Sequence, residues 1–352
     1  MCNFFIPPLA LSKCSKGINN LDIRLAKIED LVPIQSFISE NWKKDHIFVN
    51  DEKFFIFEMT ANRKPSFICA WREKQLVGLL GFVKNREILH DSDLFLVMFR
   101  VLKTQSETNI GQKMIEFARS LTTRGIHTTG ANPKTLPYYR FLGFTVGWMD
   151  HTYWLNTSLE SSINFIANAR VKKQSRDRDA FNFSSHGLSQ IPFDETMSKI
   201  ANIRIPDIHP TARSYLSFEK RYLLHPLYKY KFFESNRVEG VCVVREVNIL
   251  GATCWRIVDW FGLPDDFAEV ISGLISAASK RGICLIDCYT SGIDASKLIT
   301  NGLSAITSDV IIPNYLEPLV LRNIKLSCVS SYEKMPFFMR GDGDQDRPSK
   351  SH

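Results

Sequence analysis

The chain has 352 residues, of which 44% are hydrophobic and 23% charged, so it can bury a large core and its length fits two domains better than one. Its formal charge of +7 favours anionic partners such as phosphate-bearing small molecules, but is too diffuse to mark a nucleic-acid surface. The eight cysteines are scattered through apolar runs without a C-x-x-C pair and read as reduced core residues, so neither a zinc site nor a disulfide is implied. No run reaches the length of a membrane span, and the apolar stretch "NFFIPPLAL" is broken by two prolines with no small-residue cleavage site after it. A cytoplasmic enzyme or binding protein is the expectation.

In chain order, "LDIRLAKIEDLVPIQSFI" reads as a strand followed by a helix whose first turn carries Glu29 and Asp30, placed to complement the helix dipole. "SFICAW" and "LVGLLGFV" read as a hairpin around the polar "REKQ", and "DLFLVMFRVLK" as a further long strand. After the polar stretch "TQSETNIG", the apolar positions Ile110, Met114, Phe117, Ala118 and Leu121 recur at helical spacing. A strand, a loop reaching a glycine and a helix start can form a phosphate site. The first-turn N–H groups are unpaired, and a glycine lets ligand oxygens approach the backbone. Thr108, Asn109, Ile110, Gly111, Gln112 and Lys113 stand in those positions; an ordinary turn containing a glycine is the alternative.

The next segment, "NPKTLPYYRFLGF", spaces Asn132, Tyr139, Gly143 and Phe144 in the pattern N-x(6)-Y-x-x-x-G-F. On these residues the first half, roughly 21–155, resembles the GCN5-related N-acetyltransferase superfamily. Its pyrophosphate loop, R/Q-x-x-G-x-G/A, would fall on Ser106, Asn109 and Gly111, where only the last glycine matches. The resemblance implies acyl-CoA as co-substrate, as acetyl-CoA or a short hydroxyacyl-CoA, with no metal. It also implies that Asn132 orients the coenzyme and that Tyr139 protonates the departing thiolate.

The second half repeats the first. "NRVEGVCVVREV" matches "KQLVGLLGFV" around Gly240 and Gly78, "WRIVDWFG" matches "LFLVMFRV", and "DFAEVISGLISAASK" carries an apolar stripe from Phe267 to Ala278. Both copies continue Arg-Gly-Ile into a strand and reach a glycine–apolar pair. The expected fold is α/β (α+β): tandem copies, each a mixed, mostly antiparallel sheet flanked by helices. The division expected is an extension over 1–20, a coenzyme-binding domain over 21–157, a linker over 158–184 and an acceptor-binding domain over 185–352. Asp265 and Asp266 at the second helix start would repel a pyrophosphate, so one coenzyme A is expected per chain, in the first copy.

Arg221, Tyr222, His225 and Tyr228 cluster in "FEKRYLLHPLYKY", while Asp259 and Asp287 interrupt apolar strands. Aromatic, arginine and carboxylate groups together can grip a base, sugar hydroxyls and a phosphate. Internal pairing is the alternative for the two acids. With "NWKKDHI" (Trp42, His46) and the tail "GDGDQDRP" (Asp342, Asp344, Arg347), the chain resembles two-domain sugar N-acyltransferases of bacterial O-antigen and capsule pathways. That resemblance implies a nucleotide-linked amino sugar as the small-molecule partner, of the dTDP-3-amino-3,6-dideoxyhexose class. The tail lacks the twelfth-position Glu of a calcium loop, so no metal is expected. Direct transfer would use backbone N–H groups near Phe99, Arg100 and Val101 for the oxyanion, with His46 as base and Asp259 in reserve. Three other readings stay open: a Fem-type aminoacyl transferase, a protein or polyamine acetyltransferase, and a non-catalytic binding protein. Oligomeric state is left undetermined.

Overall fold

The computed structural model describes residues 21–61, 64–103, 109–166, 187–203, 213–314 and 322–348; Ser106, Thr108 and the basic segment 167–179 lie outside them. Leu21–Leu25 (β1) pairs antiparallel with Phe67–Arg72 (β2), Ile23 opposite Ala70. β2 turns through Glu73, at a left-handed φ of 53°, into Gln75–Lys84 (β3), which pairs antiparallel with Leu94–Val101 (β4). Between β1 and β2 run three helices: Leu31–Asn41 (α1), Ile47–Asn50 (α2) and Glu52–Met59 (α3). Strand side chains alternate between faces. Phe67 and Cys69 therefore pack with Phe37, Phe48, Phe54 and Phe55 of these helices, whereas Ile68 and Ala70 pack with Ile110–Ser120 (α4) on the other side. Asp30, expected in the first turn of α1, instead accepts from the Lys27 N–H at 2.7 Å and the Arg24 guanidinium at 2.6 Å, within a 3-10 turn just ahead of that helix.

After α4 come Ile126–Thr129 (β5), Leu136–Phe141 (α5), Thr145–Trp148 (β6) and Asp150–Leu155 (β7). The second half contributes Leu188–Ile191 (β8), Phe193–Asn202 (α6), and Tyr215–Phe218 (α7) running into a π-helical turn at Glu219–Leu223. Tyr230–Ser235 (β9), Gly240–Ile249 (β10), Ala252–Gly262 (β11), Ile271–Lys280 (α8), Leu285–Ser291 (β12) and Ala295–Thr300 (α9) follow. Ser304–Ala305 (β13), Ser327–Ser330 (β14) and Phe338–Met339 (β15) come last, and a separate two-stranded ribbon pairs Thr60–Ala61 with Lys64–Pro65. The stripe beginning at Phe267 is buried as expected, but Pro264–Val270 is a 3-10 turn and α8 starts only at Ile271.

Two mixed, mostly antiparallel sheets result, each flanked by helices, so the fold is present twice. Each takes its penultimate strand from the other half. β14 enters the first sheet between β5 and β6, placing Val329 opposite Thr128 and Val146, and β7 enters the second between β12 and β13, placing Tyr153 opposite Asp287 and Ser304. The exchange is pinned by a buried polar hub. Asp93 accepts from the Gly125 N–H at 3.0 Å, Arg124 at 2.9 Å and the Tyr332 hydroxyl at 2.6 Å, and meets His127 Nε2 at 3.0 Å; the other His127 nitrogen meets Ser330 at 3.1 Å. Burial opposes the ionised form of Asp93, but these donors hold its pKa below the ordinary carboxylate value.

Candidate active site

In the first half, parallel strands β4 and β5 pair only through Leu94 and Phe95, and then diverge. Opposite β3 the register of β4 slips at Val97: Gly81 faces Met98, while Phe82 faces Leu96. An extra residue of this kind bends a strand and re-aims its backbone groups. The result is a cleft that opens from Leu96 toward Phe99, Arg100 and Val101. The start of α4 stands over its wide end. The Lys113 N–H is bonded to the Asn109 carbonyl at 3.1 Å, and an added Cβ on Gly111 would meet Phe99 at 3.3 Å, the Tyr138 hydroxyl at 3.7 Å and Val101 at 3.9 Å. Gly111 has no left-handed φ, so its backbone does not require glycine; what a side chain would fill is the space beside the cleft. The chemistry of these residues suits a pyrophosphate: Ile110, Gly111 and Gln112 occupy the first turn of α4, where N–H groups precede the first intrahelical bond, and Gly111 leaves its own side-chain space open. Thr108 falls outside the described residues, and Gln112 spends its amide on Glu116 at 2.8 Å.

Asn132 is exposed and caps the turn Pro133–Thr135, its side chain accepting from the Lys134 N–H at 3.0 Å. Tyr139 is buried on α5, edge-on to Phe144 at 5.5 Å. Burial, with Tyr138 adjacent, pushes its phenol up to about 12, so it stays protonated at neutral pH.

The second half carries the same distortion, with Val258 as the extra residue of β11, but its cleft is filled. Trp260, at the place of Phe99, lies so close to Gly240 and Gly262 that a Cβ on either would fall within 2.2 and 2.7 Å of the indole. β15 then pairs with Thr290 and Ser291 of β12, and the Gly341 N–H donates to the Val258 carbonyl at 2.8 Å. Asp265 and Asp266 sit in the first turn of the 3-10 segment ahead of α8 rather than at the start of α8 itself, and the physical block behind them is an indole and a strand.

The tail continues between the halves. Each of its acids is taken by an arginine: Asp342 by Arg213, Asp344 by Arg347 at 3.1 Å and Asp346 by Arg245 at 2.7 Å. Thr129 donates to the Asp342 carbonyl at 2.7 Å and Arg221 to the Gly343 carbonyl at 2.6 Å. Among the described residues no group of side chains has the make-up of a metal site.

Beside the narrow end of the first cleft, where Phe95 is the last residue of β4 paired with β5, lies a cavity of about 390 Å³, within the usual size range of ligand pockets. The first half contributes Glu58, Lys84 and Glu87; the second contributes Arg213, Lys220 and Arg221; Asp342 and Gly343 form part of its floor. Of the acceptor residues expected from sequence, Arg221 and Asp342 line it. Tyr222, His225 and Tyr228 line a second pocket of about 360 Å³ on the other side of the π-helical turn. Asp259 is buried against Arg213, accepts from the Tyr222 hydroxyl at 2.5 Å, and is held above the ordinary carboxylate pKa chiefly by burial. Asp287 lies inside the second sheet, 3.4 Å from both Arg256 and His151. Arg347 stacks over Phe48 at 4.6 Å and Trp42 is exposed beyond α1.

His46 is not at the cavity. It caps α2, its Nδ1 accepting from the Phe48 N–H at 3.2 Å, and burial followed by Arg347 and Lys43 lowers its pKa to about 3. His225 likewise accepts from the N–H groups of Leu227 and Tyr228, at 3.2 and 2.8 Å, and is lowered to about 4 by burial first. Sequence reasoning missed Glu58, Lys84, Arg213 and Lys220. Their only signal was charge inside amphipathic segments, which a solvated face gives equally well.

A paired sheet that splays after its fourth strand, with a helix start over the gap, defines the fold of the GCN5-related N-acetyltransferases, here in tandem. Among solved structures the chain is similar to a GCN5-related N-acetyltransferase from Anabaena variabilis, with TM-score 0.50, 12% identity, and coverage of 88% of this chain and 72% of that one. It is also similar to one from Kribbella flavida, with TM-score 0.47, 10% identity and coverage of 88% and 70%. Yeast N-myristoyltransferase with bound myristoyl-CoA follows, with TM-score 0.44, 11% identity and coverage of 99% and 86%. No protein-family model and no curated protein matches the chain by sequence.

Proposed function

We propose that the chain is an acyl-CoA-dependent N-acyltransferase that acylates the amine of a nucleotide-linked amino sugar, of the dTDP-3-amino-3,6-dideoxyhexose class. The observation that carries this reading is the contrast between the two clefts. The first is free of the tryptophan and strand that fill the second, and its narrow end borders a charged cavity built by both halves. The thioester supplied with the coenzyme provides the electrophile. The distorted backbone around Val97 is placed to donate N–H groups to the developing oxyanion, and Tyr139, protonated at neutral pH, can give its proton to the leaving sulfur. The amine must lose a proton as the N–acyl bond forms. Glu58 is suited to take it: it lines the cavity with Lys220 and Arg221 as its charge neighbours, whereas Asp342 is held by Arg213 and the Met339 N–H.

The test is acyl transfer with purified protein, acetyl-CoA and a panel of nucleotide-linked amino sugars, followed by release of free thiol. Turnover on such a sugar, with none on peptides or polyamines, is expected. Efficient acetylation of a peptide amine without response to any nucleotide sugar would overturn the acceptor. Failure to bind any acyl-CoA would overturn the whole reading in favour of a coenzyme-independent transferase.

A further inference from the structure

Three cations on the wall of the 390 Å³ cavity form no ion pair among the described residues: Lys84 at the end of β3, and Lys220 and Arg221 on the π-helical turn. Each is tied to a backbone carbonyl instead. Lys84 donates to Glu87 O, Lys220 to Thr60 O at 2.9 Å and Arg221 to Gly343 O at 2.6 Å. Carbonyls orient a cation but do not neutralise it. Of the other charges on the wall, Arg86 pairs with Asp91 at 3.1 Å and Arg213 with Asp259 and Asp342, while Glu87 Oε1 accepts from the Ser214 hydroxyl. Glu58 and Glu87 are the carboxylates left to offset three half-buried positive charges, so a net positive charge remains on this part of the wall. Partial burial of like charges is costly, and a ligand anion is a usual compensation.

We propose that Lys84, Lys220 and Arg221 form an anion subsite that holds a phosphate or diphosphate group, separate from the start of α4 and assembled only when both halves meet. The assignment deepens the acyltransferase reading, on which its link to the acceptor rests: the acceptor would be anchored through its phosphates, leaving its amine near Glu58. Two lysines and an arginine around one cavity suit a compact multivalent anion, because ammonium groups act as point charges and the guanidinium adds a directed fork. Burial lowers the pKa of Lys220 against the opposing pull of Glu58, and that of Lys84 against the opposing pull of Glu87, so the nearby carboxylates do not fully offset the loss of water.

The coenzyme also carries a pyrophosphate, so the probe is inorganic pyrophosphate titrated calorimetrically into the full chain, with and without saturating coenzyme A. The expected result is one pyrophosphate per chain that persists with coenzyme A bound and weakens as salt is added. Lys220→Met and Lys84→Met should each weaken it about tenfold while melting temperature stays close to that of the parent, with Lys297→Met, on a surface ion pair with Asp265, as the unchanged control. Should the protein not bind coenzyme A, Gly111→Glu replaces saturation as the means of closing the other anion position, so the two proposals fail separately. Absence of pyrophosphate binding, its complete displacement by coenzyme A, or an equal loss in Lys297→Met would overturn the subsite.

Discussion

Replacing Gly111 with Glu separates binding from folding. Gly111 is the second residue of α4, partly exposed, and without the left-handed φ that would demand glycine. Loss of glycine from a helix favours folding by roughly 0.5–1 kcal/mol, and an acidic group in the first turn adds about 0.3–1 kcal/mol through the helix dipole. Against this, the new Cβ would stand 3.3 Å from the tip of the Phe99 ring, which must give by a few tenths of an ångström. The melting temperature should therefore move little. Binding should not survive. A carboxylate about 4 Å from a phosphate charge costs about 4 kcal/mol at an effective dielectric constant of 20, which is roughly a thousandfold in Kd. Titration calorimetry should find one coenzyme A per parent chain and none for the variant, because Trp260 and β15 leave no second cleft to compensate. A variant that binds as the parent does, or a parent stoichiometry of two, would refute the argument. Gly111→Ala, carrying the Cβ without the charge, should fall between the two.

Tyr139→Phe should lower kcat while leaving the KM for acyl-CoA near that of the parent, since the phenol would act on a charge present only in the transition state; unchanged kcat would reduce Tyr139 to a packing residue. Acid should destabilise the fold through its buried histidines. His225, lowered to about 4 against 6.5 unfolded, stays neutral when folded, so the unfolded chain binds more protons between those values. Stability is full above pH 6.5 and falls as pH drops, by about 1.4 kcal/mol per pH unit from this group. His225→Asn, which can still accept an N–H, should flatten the decline in melting temperature between pH 7 and 5; an identical slope would count against the assignment. Asp93→Asn should cost about 3–5 kcal/mol, because Arg124 and its other buried donors lose their anion, and denaturant unfolding would read this as a lower midpoint.

The sequence by itself determined the repeated fold and where in it a strand, a glycine and a helix start come together. Strand alternation and helical spacing are local properties, and they recur in both copies as "KQLVGLLGFV" and "NRVEGVCVVREV". The position of Gly111 at a helix start and the burial of Tyr139 and Phe144 follow from the same patterns. The tertiary structure decided what depends on partners distant in the chain. β7 and β14 alternate in the same way whichever sheet receives them, so nothing local announces that the halves exchange these strands. Trp260 is one apolar residue of the strand "WRIVDWFG" in the sequence, and its closeness to Gly240 and Gly262 appears only in the folded chain. The aspartates of the tail read as groups for an acceptor until Arg213, Arg347 and Arg245 converge on them. His46 has the composition of a base and the geometry of a helix cap, a distinction that rests on whether its Nδ1 faces the Phe48 N–H. The charged cavity lay furthest from view, because Glu58 and Lys84 meet Lys220 and Arg221 only once the two halves are packed together. The balance of charge on its wall is a property of that packing and of neither segment alone.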